Sequence, residues 1–126
     1  MEIRKAEIDD LQAIVEIYNY EVLNGVATLD LSVKSLKDRR EWFYAHNKDN
    51  HPLYVALIDG KVAGYASLSA YREKEAYKST VELSIYVGVE FRRRGIASAL
   101  MEYTLNEARR DESIHNVISV ITSGNK

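Results

Sequence analysis

The stretch Val81-Glu82-Leu83-Ser84-Ile85-Tyr86-Val87, followed after a short connection by Arg92-Arg93-Arg94-Gly95-Ile96-Ala97-Ser98, decides how this chain is read. In its first half Val81, Leu83, Ile85 and Val87 alternate with Glu82, Ser84 and Tyr86, the period-two pattern of a half-buried strand. Beyond the arginines the period changes, and Ala97, Leu100, Met101, Thr104, Leu105 and Ala108 recur at helical spacing. Gly95 therefore stands at the mouth of a helix, where the lack of a side chain lets a ligand approach the backbone. The first N–H groups of a helix have no intrahelical partner, and the helix dipole adds partial positive charge there. With Arg92, Arg93 and Arg94 at the same end, the turn reads as an anion site, most naturally for a phosphate or pyrophosphate.

Neither of the commoner phosphate loops fits. A P-loop requires G-x-x-x-x-G-K-S/T and a dinucleotide fingerprint requires G-x-G-x-x-G, whereas here a single glycine sits within R-x-x-G-x-A. Taken alone, such a turn is equally compatible with a solvated helix cap. The pattern resembles the pyrophosphate motif of the GNAT superfamily of N-acetyltransferases, Gln/Arg-x-x-Gly-x-Gly/Ala, with Arg92, Gly95 and Ala97 at its fixed positions. The strand before it, Thr80-Val81-Glu82-Leu83-Ser84-Ile85-Tyr86-Val87, resembles the T-V-E-x-S-x-Y-V strand of the phosphinothricin/methionine-sulfone N-acetyltransferase branch. Tyr71-Arg72-Glu73-Lys74-Glu75-Ala76-Tyr77 is similar to that branch's substrate loop, and Ile17-Tyr18-Asn19 and Asp38-Arg39-Arg40-Glu41-Trp42-Phe43 extend the likeness towards the N-terminus.

The resemblance implies an α/β fold, a mixed and mainly antiparallel sheet flanked by helices, with acetyl-CoA as co-substrate and no metal. It places the coenzyme's phosphates on Arg92, Arg93, Arg94, Gly95, Ile96, Ala97 and Ser98, and the pantetheine arm along Ile85, Tyr86 and Val87, with Asn125 also on the cofactor side. A backbone N–H in that strand would polarise the thioester carbonyl as an oxyanion hole does. Glu82 is the candidate general base, acting directly or through water, because an amine at neutral pH arrives as ammonium and must lose a proton. Arg72, Lys74 and Tyr77 are candidates for the carboxylate or phosphinate of an amino-acid-like substrate. Lys74 stands where the branch is expected to carry arginine; it keeps the charge without the bidentate fork.

Composition sets the outer bounds. At 126 residues the chain is expected to form one domain over its whole length, with 46% apolar and 29% charged residues as in ordinary globular proteins. A net charge of −2 argues against bulk nucleic-acid binding, and the absence of cysteine removes disulfides, thiolate metal sites and a cysteine nucleophile. There is no apolar run of membrane-spanning length, so a cytoplasmic location is expected. His46, His51 and His115 are scattered, without H-x-x-x-H or H-E-x-x-H, and read as surface or capping histidines. Ser84 and Ser98 lack a G-x-S-x-G elbow.

The remaining pattern predicts a strand at residues 2–6, then a helix capped by Asp9 or Asp10 and ended by Asn24-Gly25. An apolar loop follows at 26–31, then a second helix, started by Ser35 with Asp38, through Trp42 and Phe43 to about His46. Strands at 53–58 and 61–70 are joined by Asp59-Gly60, a type I′ turn signal, with Gly64 marking a bulge. After the strand at 81–87 come a helix at 97–110 and a fifth strand at 117–122. Members of the family continue beyond a position like Ser123-Gly124-Asn125 into a helix and two strands, which have no counterpart here. The apolar fifth strand would then lie open, so a two-fold homodimer burying it is expected. Two functional classes fit these observations. One is an acetyltransferase acting on the primary amine of a small amino-acid-like molecule; the other is a non-catalytic acyl-CoA-binding or interaction module.

Overall fold

The computed structural model describes residues 1–24, 36–47, 51–70, 80–112, 114 and 116–119. Along the chain these form β1 (Glu2–Lys5), α1 (Leu11–Asn24), α2 (Leu36–Tyr44), β2 (Leu53–Ile58), β3 (Lys61–Ala70), β4 (Thr80–Val87), α3 (Ile96–Arg110) and β5 (Asn116–Ser119). The strands lie side by side in chain order. β1 to β4 pair antiparallel and β5 runs parallel to β4, which is the mixed, mainly antiparallel sheet expected. The apolar loop expected at 26–31, and the second half of the expected fifth strand, lie outside the described residues.

Alternation along the strands separates two cores. On one face Ala66, Leu68, Val81, Leu83 and Val87 pack with Ile96, Leu100 and Ala108 of α3. On the other, Leu53, Val55, Leu57 and Tyr65 pack with Leu11, Ile14, Val15 and Ile17 of α1 and Phe43 of α2. In α3 the buried positions Ile96, Leu100, Thr104 and Ala108 recur every fourth residue, one stripe towards the sheet. Arg109 and Arg110 occupy its last turn, where cations complement the helix dipole.

Local signals behave as their chemistry requires, with one correction. Asp59 and Gly60 both have positive φ, 52° and 79°, the requirement of a type I′ turn. At the start of α1, neither Asp9 nor Asp10 is the cap. A 3₁₀ turn at Ile8–Asp10 intervenes, with Glu7 as its N-cap. Asp10 accepts from the Glu7 backbone N–H at 2.7 Å and from both terminal nitrogens of Arg4 at 2.8 and 3.2 Å. That buried carboxylate ties β1 to the helix entry: Asp10 serves from the N3 position of a capping box, not as the N-cap, and is held there by the Arg4 fork.

Register slips where Ala56 faces Gly64 and Leu57 faces Val62, leaving Ala63 as the extra residue of a bulge beside Gly64. A Cβ on Gly64 would stand 2.8 Å from the Tyr86 carbonyl oxygen and 3.3 Å from Val87 Cα. Backbone cannot yield as a side-chain tip can. Gly64→Ala is therefore expected to destabilise the protein by about 1–3 kcal/mol, as overpacking does, measured by denaturant or thermal unfolding. The strain falls on β4 between Tyr86 and Val87.

Candidate active site

The path from β4 into α3 is built from backbone turns. Gly88 N–H donates to the Ala63 carbonyl at 2.7 Å, and Phe91 N–H donates to the Gly88 carbonyl at 2.9 Å, closing a 3₁₀ turn at Val89–Phe91. Arg93 then takes φ 66° and Gly95 φ 76°, two left-handed residues on either side of Arg94. Gly95 is the N-cap of α3, and its carbonyl accepts the Ala99 N–H at 3.0 Å. The N–H groups of Ile96, Ala97 and Ser98 thus precede the first intrahelical donor, and α3 has no acidic residue in its first turn. Nothing lies within 4 Å of a Cβ placed on Gly95, so the space before the helix mouth is open. Arg93, Arg94 and Ser98 are exposed, Arg92 and Ala97 half-buried, and Ile96 buried. The Arg92 guanidinium stands 5.8 Å from the Tyr20 ring centroid and that of Arg94 5.7 Å from Phe91, beyond the closest cation–π range but on the same side chains that flank the turn.

Glu82 is half-buried on the face of β4 opposite α3. Its pairing partner on β3 is Ser69; Ser84 pairs with Ser67, and Tyr86 with Tyr65. Directly paired residues project to the same side, so Glu82, Ser84, Tyr86, Tyr65, Ser67 and Ser69 form one polar and aromatic floor. Tyr65 and Tyr86 stack with centroids 5.2 Å apart, and Tyr18 of α1 meets Tyr86 edge-on at 5.9 Å.

Helix α2 supplies the wall above this floor. Arg39, 8% exposed, lies over the Trp42 ring at 3.6 Å and the Tyr18 ring at 4.5 Å. His46 is also 8% exposed, so of the two roles expected for it, surface or capping, the surface one is corrected. Its Nδ1 lies 2.7 Å from the Trp42 carbonyl oxygen and its Nε2 lies 2.7 Å from Ser69 Oγ. Asn47 fixes this placement: left-handed at φ 56°, it donates from Nδ2 to the Ala6 carbonyl at 3.1 Å and accepts the Leu53 N–H at 2.8 Å. Burial pushes the Tyr65 phenol far up, keeping it neutral; the nearby Arg39 charge opposes that shift without standing in hydrogen-bonding geometry to the hydroxyl.

The structure brings the turn residues Arg92 to Ser98 together at one helix mouth, and sets Ile85, Tyr86 and Val87 on the strand that leads into it. Arg72, Lys74, Tyr77, Asn125 and His115 lie outside the described residues. Arg39, His46 and Ser69 were not singled out by sequence reasoning. Nothing local marks them; His46 and its partner Ser69 are separated by 23 positions and meet only when α2 settles on the sheet. Among the described residues no cluster of histidine and carboxylate side chains could hold a metal ion.

Comparison with known proteins agrees with this geometry. Residues 14–126 match the Acetyltransferase (GNAT) family. An L-methionine sulfoximine/L-methionine sulfone acetyltransferase from Pseudomonas paraeruginosa is 36% identical, over 98% of this chain and 72% of its own. The crystal structure of a ribosomal-protein-alanine N-acetyltransferase from Brucella melitensis superposes with a TM-score of 0.92 at 36% identity, over 99% of this chain and 76% of that one. A GNAT superfamily phosphinothricin acetyltransferase from Sinorhizobium meliloti, in complex with acetyl-CoA, superposes with a TM-score of 0.83 at 38% identity, over 86% of this chain and 60% of that one. The chain belongs to the GNAT acetyltransferase family and is an acetyltransferase. The acetyl-CoA expected at the arginine turn is the coenzyme that the Sinorhizobium neighbour holds.

Gly95 tests the coenzyme turn. Its positive φ disfavours a branched side chain, and a side chain there would enter the open space before the helix mouth. Gly95→Val is expected to abolish CoA binding in calorimetric titration and, because a branched residue is strained at φ 76°, to lower the melting transition, while far-UV dichroism stays close to that of the parent. A variant that still takes CoA with parental affinity would place the phosphates elsewhere.

Proposed function

We propose that this protein transfers the acetyl group of acetyl-CoA to the primary amine of a small amino-acid-like molecule of the phosphinothricin or methionine-sulfone kind. The observation that carries this reading is the position of Glu82, half-buried on a polar floor of β3 and β4, on the same strand that leads to the arginine turn. Acetyl-CoA, when bound, supplies an activated thioester. The N–H groups at the mouth of α3 and the Arg92, Arg93 and Arg94 side chains hold its phosphates. Along Ile85, Tyr86 and Val87 the backbone lines the pantetheine arm, and one N–H there stabilises the carbonyl oxygen as negative charge develops.

Glu82 takes a proton from the substrate ammonium, directly or through one water, which frees the nitrogen lone pair. That pair forms the new C–N bond at the thioester carbon as the C–S bond breaks. The departing sulfur carries the electron pair away as thiolate, and it takes up, directly or through solvent, the second proton that the nitrogen sheds on becoming an amide. Arg72, Lys74 and Tyr77 bind the anionic end of the substrate, with Lys74 holding it as a point charge rather than by a bidentate fork.

The substrate class rests on the relatives. The Pseudomonas protein is named for methionine sulfoximine and sulfone, whereas the Brucella protein is named for ribosomal-protein alanine. Thiol release measured with acetyl-CoA and a panel of amines separates these chemistries. Methionine sulfone and phosphinothricin are expected to turn over faster than an alanine-terminated peptide. Binding of acetyl-CoA with no turnover of any amine would instead identify a binding module. Glu82→Gln is expected to lower turnover roughly 10²-fold with little change in acetyl-CoA affinity, the loss typical of removing a general base.

We also propose a cytoplasmic homodimer. No helix among the described residues is long and apolar enough to cross a membrane, and β5 pairs with β4 on one side only among those residues. A strand at a sheet edge is a template for pairing with a second chain. Light scattering at micromolar concentration is expected to give twice the 14.4 kDa chain mass; a monomer would remove the dimer.

A further inference from the structure

The two ring nitrogens of His46 determine which way the Ser69 hydroxyl points. A carbonyl oxygen only accepts, so the 2.7 Å contact from Nδ1 to the Trp42 carbonyl puts the hydrogen on Nδ1. In the neutral ring Nε2 then bears a lone pair, and the 2.7 Å contact to Ser69 Oγ is a bond that the hydroxyl donates. The one hydrogen of Ser69 is therefore committed to His46, and what its oxygen offers other groups is lone pairs. Ser69 stands directly across from Glu82 in the β3–β4 pairing, so a hydroxyl oxygen and a carboxylate open onto the same floor. An ammonium or amine presents several N–H donors and takes only acceptors on that side. Two acceptors on paired strands suit it.

We propose that Ser69 is a second hydrogen-bond acceptor for the substrate's amino group beside Glu82, and that His46 is the positioning residue that keeps the Ser69 hydrogen turned away from it. This rests on Glu82 being the group that receives the amine. A second consequence follows from the tautomer. Protonated His46 would carry hydrogen on Nε2 as well, and would donate to Ser69 Oγ. The hydroxyl hydrogen would then swing towards the floor and oppose the substrate's own N–H groups. The groups facing the ring are Trp42 and Arg39 of α2, Ser69 of β3 and His51 before β2, and Glu82 stands beyond Ser69 as its partner on β4. Burial is the main influence holding His46 below its ordinary value of 6.5, the charges of His51 and Arg39 add to it, and the bond to the Trp42 carbonyl opposes it. The acceptor arrangement is thus intact at neutral pH and is lost as the pH falls through that lowered value.

The test uses the full chain, acetyl-CoA and the best amine of the panel, with initial rates followed from about pH 5 to pH 8, the range over which histidine changes charge. Ser69→Ala is expected to raise the amine KM about tenfold, the loss of one hydrogen bond to a charged group, with acetyl-CoA affinity little changed and the melting temperature lowered, because the buried His46 Nε2 loses its donor. Ser69→Thr, which keeps the hydroxyl, is expected to restore most of that loss. In the parent, kcat/KM for the amine is expected to fall below the ordinary histidine value more steeply than in His46→Gln, whose amide does not titrate. An unchanged amine KM in Ser69→Ala, or the same acid limb in His46→Gln as in the parent, would overturn the inference. Should Ser69→Ala fail to bind acetyl-CoA, the acid limb of His46→Gln decides alone. Failure of the base assignment reads differently: there Glu82→Gln keeps its turnover, whatever the amine KM of the Ser69 variants.

Discussion

The backbone of β4 passes so close to Gly64 that its Tyr86 carbonyl oxygen lies 2.8 Å from where a Cβ would be, and the geometry of both halves of the site depends on that contact. The bulge at Ala63 increases the local twist of the β2–β3 pair just where β4 crosses it. β4 leaves the sheet immediately afterwards: Gly88 N–H is caught by the Ala63 carbonyl at 2.7 Å, and the chain turns from there towards the helix mouth. One irregularity on β3 therefore sets both the path of Ile85 to Val87 and the point from which the arginine turn springs. A regular strand with a side chain at position 64 would push β4 outward and carry the turn with it.

The second constraint comes from the other layer. α2 is only nine residues long and has little apolar stripe of its own, so its position is fixed from its ends and by a few large side chains. Asn47, in the left-handed conformation, bonds to the end of β1 and to the start of β2 at once. Trp42 meets Tyr65 edge-on at 6.0 Å and His46 at 4.6 Å, and Arg39 lies against Trp42 and Tyr18. Guanidinium is the cation suited to this place, since it is planar, weakly hydrated and stacks on aromatic faces. The result is a helix held over the polar floor by one asparagine clamp and one aromatic stack.

Elements with a clear period were legible in the sequence. β2, β3, β4 and α3 emerge within a residue of their expected limits because each buries one face and alternation or helical spacing records that face directly. Gly64 and Asp59-Gly60 were legible for a similar reason: a bulge and a type I′ turn need particular backbone freedom at particular positions. The start of α1 was not. Asp9 and Asp10 are both good capping residues, but the Arg4 fork draws Asp10 inward and a 3₁₀ turn shifts the cap to Glu7. The arginine turn could be found because its chemistry is contiguous. The amine side could be found only at Glu82, through the strand motif around it. Ser69 looks like an outward polar residue of a half-buried strand, and His46 like the frayed end of a helix. Their joint meaning exists only after α2 packs on β3.

The two faces of the β3–β4 pair show why that amine side is polar at all. Towards α3 the paired residues are Leu68 with Leu83 and Ala66 with Ile85; towards α2 they are Ser69 with Glu82, Ser67 with Ser84 and Tyr65 with Tyr86. Backbone and register are shared, so the difference is not one the strands need in order to pair. Ser67 is 2% exposed and Tyr65 fully buried, and neither the Tyr65 hydroxyl nor Arg39 Nε has a hydrogen-bond partner among the described residues. Leaving such a group unsatisfied costs about 1–3 kcal/mol. Aliphatic residues of similar volume would avoid that cost, as Leu68, Leu83, Ala66 and Ile85 do on the other side of the same strand pair. A surface that keeps carboxylate, hydroxyl, imidazole and guanidinium under a short helix, at the expense of stability, supports the proposed reading of this face as the one that receives a charged, hydrogen-bonding amine.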